Sequence, residues 1–302
     1  MLPHSYKAKV YMFRFLACLV FWAGCNLVGP VASALAQWQT DRVKLGLVGP
    51  VSTVVEKQKP AESSTGLEIT RRFNSHGDLL EVTTKAVLEK YPDSQLKGLK
   101  TVFTYDGAGK KVGGVSFRLD GTVHQKTIYG CDVNGFMEME ATYGADESFV
   151  LLKIVKQDTS TQRTETLVFT PHPPYFSKMI SEYDRKANTT IVWQEPHGSK
   201  TLSLHDSAGR IAEDRTYQEE GGLIVSATYK YDNHGNPVEQ VTYRDRLLKE
   251  QILNVYKYDA TGNWTETITD WVLKDGEPSA ERTLISRDIS YFSEKQGNAQ
   301  NN

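Results

Sequence analysis

From Leu99 to Tyr291 the chain runs in short stretches rich in β-branched and aromatic residues, broken at intervals by Gly, Asp and Asn. Such a rhythm predicts many short strands joined by tight turns. The pattern is sharpest in Tyr229-Lys230-Tyr231-Asp232-Asn233-His234-Gly235-Asn236, which returns as Tyr256-Lys257-Tyr258-Asp259-Ala260-Thr261-Gly262-Asn263. Residues two apart share a face of an extended chain, so Tyr229 and Tyr231 point one way and Lys230 the other. Asp232 begins a type I turn, because a carboxylate there accepts from backbone N–H groups two residues on. Gly235 stands where the loop needs a left-handed residue to form its bulge, and positive φ is predicted at Gly235 and Gly262.

With Asp and Gly as anchors, weaker copies emerge. Phe103-Thr104-Tyr105-Asp106-Gly107-Ala108-Gly109-Lys110 is one, and Leu204-His205-Asp206-Ser207-Ala208-Gly209-Arg210 keeps the turn with His205 for the second Tyr. Phe73-Asn74-Ser75-His76-Gly77-Asp78 has Asn for Asp, Tyr129-Gly130-Cys131-Asp132-Val133-Asn134-Gly135 is another, and Tyr183-Asp184 is followed by Ala187-Asn188. The pairs Asp106 and Gly109, Asp132 and Gly135, Asp206 and Gly209, Asp232 and Gly235, and Asp259 and Gly262 are therefore expected to be structural turns. Asp106 and Asp132 are 26 residues apart, as are Asp206 and Asp232, and Asp259 follows 27 after Asp232. Asp158, at the end of the run Phe149 to Val155, fits the same series. Two strands of about ten residues with two turns fill such a period, so each period is one hairpin.

The turn motif resembles the Tyr-Asp (YD) repeats of the Rhs family, whose pattern is close to G-x-x-x-R-Y-x-Y-D-x-x-G-N/R. Tyr231-Asp232-Gly235-Asn236, Tyr258-Asp259-Gly262-Asn263 and Asp206-Gly209-Arg210 carry it, and it extends from about Phe73 to Trp264. The upstream Gly and Arg of the pattern are mostly absent. In that family the repeats build large curved β-sheets, sometimes shells around a toxin domain. The resemblance implies a small exported YD-repeat protein, all-β, folded as an elongated, twisted antiparallel sheet of sequential hairpins.

The N-terminus changes the setting. Lys7, Lys9 and Arg14 precede an uncharged run from Phe15 to Thr40, and Ala34-Leu35-Ala36 is an A-x-A site before Gln37. This predicts a secretory signal peptide over 1–36. Trp22-Ala23-Gly24-Cys25 competes as a lipoprotein box, with lipidation at Cys25. Either way the chain is expected to be exported, periplasmic or secreted, with no membrane span once the signal is gone. Beyond residue 36 the chain carries 32 basic against 37 acidic residues, with no footprint for nucleic acid. It keeps one cysteine there, Cys131, so no internal disulfide braces it.

One domain is expected over 37–292, with a polar tail at 293–302. Lys57 to Thr65 reads as a loop, and Val82 to Tyr91 fits a helix ended by Pro92 or, equally, a strand. Thr170-Pro171-His172-Pro173-Pro174-Tyr175 reads as a proline-stiffened connector.

Candidate chemistry is sparse. Gly107-Ala108-Gly109-Lys110 lacks the glycine and hydroxyl residue of a phosphate loop. The histidines show no metal-ligand spacing, and one carboxylate per turn falls short of calcium's needs. There is no nucleophile elbow, Ser94-x-x-Lys97 lacks its companion motifs, and Cys131 has no partner histidine in view. No metal, cofactor or enzymatic activity is expected. Trp264 and Trp271 are the candidate ligand contacts; seven apart, they fall on opposite faces of an unbulged strand and on one face if a bulge intervenes. The reading is a non-enzymatic binding or scaffold protein of the bacterial cell envelope, with a protein or glycan as ligand. The alternatives are a structural or secretion-related partner of an Rhs-type toxin system and an unrecognised hydrolase.

Overall fold

The computed structural model describes residues 40–60, 65–88, 98–132, 137–171, 174–196, 198–279 and 281–293. The expected signal peptide, Cys25, Gly135, Ser94-x-x-Lys97 and nearly all of the expected tail lie outside these. A single helical turn, α1 (Asp41–Lys44), is capped by Thr40, whose Oγ1 accepts from Val43 N. The rest is strand. First come β1 (Val51–Pro60), β2 (Thr65–Phe73), β3 (Leu79–Leu88), β4 (Gly98–Tyr105) and β5 (Lys111–Arg118). They are followed by β6 (Val123–Cys131), β7 (Met137–Gly144), β8 (Phe149–Asp158), β9 (Arg163–Pro171) and β10 (Pro174–Asp184). Next are β11 (Thr189–Glu195), β12 (Ser199–His205), β13 (Ile211–Tyr217), β14 (Leu223–Tyr231) and β15 (Pro237–Arg244). The last are β16 (Leu247–Tyr258), β17 (Trp264–Lys274), the two-residue β18 (Glu277–Pro278) and β19 (Arg282–Tyr291).

Each strand pairs antiparallel with the next, and β17 passes over the short β18 to pair with β19. The last strand then pairs with the first, from Val51 opposite Tyr291 to Pro60 opposite Thr283. The result is a closed barrel of 18 strands. This corrects the expected elongated open sheet. The hairpin period is right, but a meander of matched strands has two edges with unpaired N–H and C=O groups, and closure satisfies both. Thr283 to Tyr291 and Val51 to Pro60 supply ladders of similar length for that seam. The Rhs family resemblance falls with the open sheet it implied; what survives is the local turn chemistry.

Other details shift too. Lys57–Pro60 and Thr65 belong to strands rather than a loop, Val82–Leu88 is strand, and the proline connector is a hairpin end in which Pro174 faces Pro171. Gly109, Gly209, Gly235 and Gly262 all have positive φ, 85° at Gly235 and 94° at Gly262.

Following directly opposed residues around the ring returns to the starting face, so the wall has two consistent sides. One carries Val54, Glu56, Ile69, Phe73, Thr101, Thr142, Thr166, Thr190, Ser203, Ala227, Thr267 and Arg287, and these pack closely or are buried. The other carries Ile128, Phe176 and Val255, each more than half exposed. Ala141, a methyl between Ile128 and Leu152, is the buried exception on that side. In a single-layer closed wall, side chains converge on the concave side and splay on the convex one, so the crowded face is the inner wall. Its apolar cluster is small: Leu47, Val51, Val54 and Phe73, with Leu79, Ile289 and Tyr291 against it. Residues 40–50 lie on this inner face near the seam. An 18-strand ring leaves an aqueous lumen rather than a filled core. Stability therefore rests on the ladder and on cross-strand pairs worth about 0.2–1 kcal/mol each.

Candidate functional site

Among the described residues the Asp-x-x-Gly turns at Asp106, Asp206, Asp232 and Asp259 lie at one rim, because every second hairpin connection falls there. In the turns at Asp232 and Asp259 the carboxylate has two tasks. Its Oδ1 closes its own turn: Asp232 accepts from His234 N and Asn236 N, and Asp259 from Thr261 N at 2.9 Å and Asn263 N at 3.0 Å. Its Oδ2 reaches the neighbouring hairpin, where Tyr258 OH donates to Asp232 and Tyr291 OH to Asp259. The residue after the glycine points the same way. Asn236 Nδ2 donates to Tyr258 OH and Lys110 Nζ to Asp132 O, while the Arg210 guanidinium covers the Tyr231 ring at 4.6 Å. The Tyr-Asp-x-x-Gly-Asn/Arg pattern is thus a lateral stitch between consecutive hairpins. Tyr258 is pushed up to about 12 by burial and by its carboxylate partner.

At the seam the stitch takes in the N-terminal segment. Asn263, 2% exposed, accepts from Val48 N at 2.7 Å and donates to Val48 O and Tyr291 OH, both at 2.8 Å. Phe292 N donates to Pro50 O. Asp41 supplies a carboxylate to Tyr105 OH at 3.0 Å and to Lys111 Nζ at 2.9 Å.

The two tryptophans meet on the inner wall. Trp264 stands opposite Tyr258 and Trp271 opposite Ile252, an even count apart on β16. The register shift between Lys257 and Tyr258 cancels the odd spacing of seven. Their settings differ. Trp264 is 9% exposed, with the Arg287 guanidinium carbon 3.3 Å from its ring centroid. Arg287 in turn donates to Glu56, which also meets Arg71 at 3.6 Å and accepts from Gln58. Burial would raise the Glu56 carboxyl, but Arg287 and Arg71 outweigh it and hold it below the ordinary glutamate value. Burial lowers Arg287 to about 10. Trp271 has no such cap. It is half-buried, facing the lumen beside Ile252 and beside Thr269, whose hydroxyl donates to Asn254 at 2.7 Å.

A second inner cluster lies on β11–β14. Ser203 Oγ donates to Asp214 Oδ1 at 2.5 Å, Tyr229 OH to Asp214 Oδ2 at 3.3 Å, and Thr190 Oγ1 lies 2.8 Å from His205 Nε2. Burial raises Asp214. Ser203 is committed to the carboxylate rather than to the imidazole, so this is not a nucleophile–base pair. Hydroxyl pairs continue the lining, Thr101 with Ser116, Thr127 with Thr142 and Thr201 with Thr216. Cys131 is half-buried, its Sγ against Lys111 O at 3.6 Å, and burial raises its pKa. Among the described residues no group of three or more His, Cys, Asp or Glu is arranged to hold a metal ion.

The structure thus brings together Asp232, Asp259 and their tyrosines at the rim, and Trp264 and Trp271 on the lumen wall. Glu56, Arg71, Arg287, Asp41 and Tyr291 are not apparent from local sequence. Closure brings Arg287 to Glu56, and the β1–β2 pairing brings Arg71 there. The N-terminal segment carries Asp41 to Tyr105, and the last strand carries Tyr291 to Asp259. The alternation Ile289-Ser290-Tyr291 was the one available signal.

No family model matches the chain, and no curated protein matches it. Two solved structures are similar to the chain, each with a TM-score below 0.5. A porin-like protein from Bacteroides uniformis is 12% identical with a TM-score of 0.49, over 80% of this chain and 99% of that one. A porin-like protein from Bacteroides vulgatus is 11% identical with a TM-score of 0.31, over 80% of this chain and 98% of that one. These likenesses carry nothing about activity.

The outer wall adds a chemical fact. Directly opposed ion pairs stand on it at Lys230–Glu239, Lys257–Glu266, Asp270–Arg282 and Arg163–Glu182, with Lys100–Glu81 and Lys178–Glu165 on neighbouring diagonals. Among the described residues no helix is long and apolar enough to cross a membrane.

Proposed function

We propose that this is an exported, non-enzymatic binding barrel of the cell envelope, with both faces of its wall in water and a glycan held in the lumen against Trp271. The observation that carries the reading is the inner wall itself: among the described residues, a hydroxyl-rich lining with one uncapped indole, Trp271. A flat aromatic face beside hydroxyl and amide groups suits a sugar ring, which presents an apolar face and a polar rim. Asn254, Thr269 and Gln240 lie on the same side of the wall as Trp271 and offer the polar partners. Trp264 is engaged by Arg287 and serves the wall.

The outer wall supports a water-facing barrel. A lipid-facing barrel needs a continuous apolar band about 25 Å tall, and a mid-wall charge there costs about 2–4 kcal/mol. Ion pairs recur here on β3–β4, β9–β10, β14–β15, β16–β17 and β17–β19. The test uses a variant retaining only Trp271 among the tryptophans, titrated with neutral oligosaccharides of defined linkage. Saturable blue-shifted emission, lost in Trp271→Ala while the fold persists by circular dichroism, is expected. Binding that survives Trp271→Ala unchanged would remove the lumen site.

A further inference from the structure

A convex wall should offer no cavity, yet one of about 680 Å³ opens on the outer face of β2–β5. Its origin is local. Gly98, at the start of β4, carries no side chain, and Leu119 from the β5–β6 turn settles over the gap; a Cβ there would stand 3.0 Å from Leu119 Cδ1. The turn from Arg118 to Gly121 therefore folds onto the wall and forms a bank. The floor is Thr70, Thr83, Val102 and Phe117. Around it stand three cations, Arg72, Lys85 and Lys100, and one carboxylate, Glu81.

Glu81 is committed to Lys100 at 2.7 Å, and Arg72 also lies within its field, lowering the Glu81 carboxyl. Glu68, opposite Lys85 on β2, lies outside the lining. The local excess of positive charge sits on a chain with net charge −2, so it is a feature of this groove and not of the whole surface.

We propose that this groove binds a short stretch of acidic polysaccharide, independently of the lumen. The charge calls for a polyanion, and cations on adjacent strands about 4.8 Å apart suit charges on successive units of a chain. Phe117 and Val102 give the apolar face of one sugar ring a surface, and Thr70 and Thr83 can bond its hydroxyls. A single ring on the floor does not make the row of stacking platforms that single-stranded nucleic acid uses.

The experiment titrates the exported protein at low salt with oligogalacturonate, heparin oligosaccharide, neutral dextran and an oligothymidylate, by calorimetry. Binding of an acidic saccharide that weakens with added salt, with none to dextran, is expected. The variant Arg72→Gln/Lys85→Gln leaves the Lys100–Glu81 pair intact and should weaken that binding at least about tenfold. Lys156→Gln, on the far outer wall, should leave it unchanged. The proposal is overturned if neither acidic saccharide binds to the folded protein, if the double variant binds as wild type does, or if the oligothymidylate binds as tightly through the same residues.

Discussion

Replacing Asp259 by Ala isolates the stitch between hairpins. The change removes two bonds from Oδ1 to Thr261 N and Asn263 N and one from Oδ2 to Tyr291 OH. A net hydrogen bond contributes about 0.5–1.5 kcal/mol, and the turn amides can be rehydrated, which puts them at the low end. The Tyr291 hydroxyl keeps Asn263 as a partner but loses its charged acceptor. The expected cost is about 2–3 kcal/mol, or a fall in Tm of about 4–10 °C for a chain of this size. Asp120 is the control. It also serves a turn, accepting from Thr122 N and Thr122 Oγ1, but it lies at the opposite rim and stitches no tyrosine. Asp120→Ala should cost clearly less than Asp259→Ala, because its turn amides stay in water. Thermal unfolding followed by far-ultraviolet circular dichroism compares the two, and Tyr291→Phe should reproduce the difference between them. Equal shifts for Asp259→Ala and Asp120→Ala would refute the lateral role of the second carboxylate oxygen.

The geometry sets three further outcomes. Gly235→Val forces a Cβ into φ of 85° and should cost about 1–2 kcal/mol, clearly more than His234→Ala, whose ring stacks on Tyr258 at 3.9 Å; urea midpoints will show it. The depressed Glu56 pKa contributes stability that is present above its ordinary value of 4.5 and lost as pH falls through the lower folded value, so acid should destabilise the wild type there. Glu56→Gln should lack that component while being less stable at neutral pH, because Arg71 and Arg287 lose their shared carboxylate. Acrylamide should quench a single-tryptophan variant retaining Trp271 more strongly than one retaining Trp264 under Arg287; the reverse order would misplace both indoles.

The hairpin architecture was legible because it is local. The signal in Tyr229 to Asn236 concerns a strand, a carboxylate that closes its own turn and a glycine at positive φ, all within eight residues. The strand at Lys57–Pro60 was hidden by its polarity: Gln58 donates to Glu56 on the inner side and Lys57 pairs with Asp288 on the other. Closure was not legible. It joins Val51–Pro60 to Thr283–Tyr291 across the length of the chain, and neither strand carries the full motif. The tryptophan faces turned on a bulge, which alters parity by one residue and leaves no mark in composition. The Glu56–Arg287 pair, 231 residues apart in sequence, shared the fate of the seam.

Spin labels on the two seam strands test the closed barrel most directly. With Cys131→Ser as background, labels at Lys57→Cys and Ser286→Cys report on residues that stand directly opposite each other. Closure predicts a narrow distance distribution of roughly one strand spacing plus two label lengths, below about 20 Å. An open sheet would separate the same strands by seventeen spacings, about 80 Å, and a distance in that range would contradict the barrel and the lumen with it.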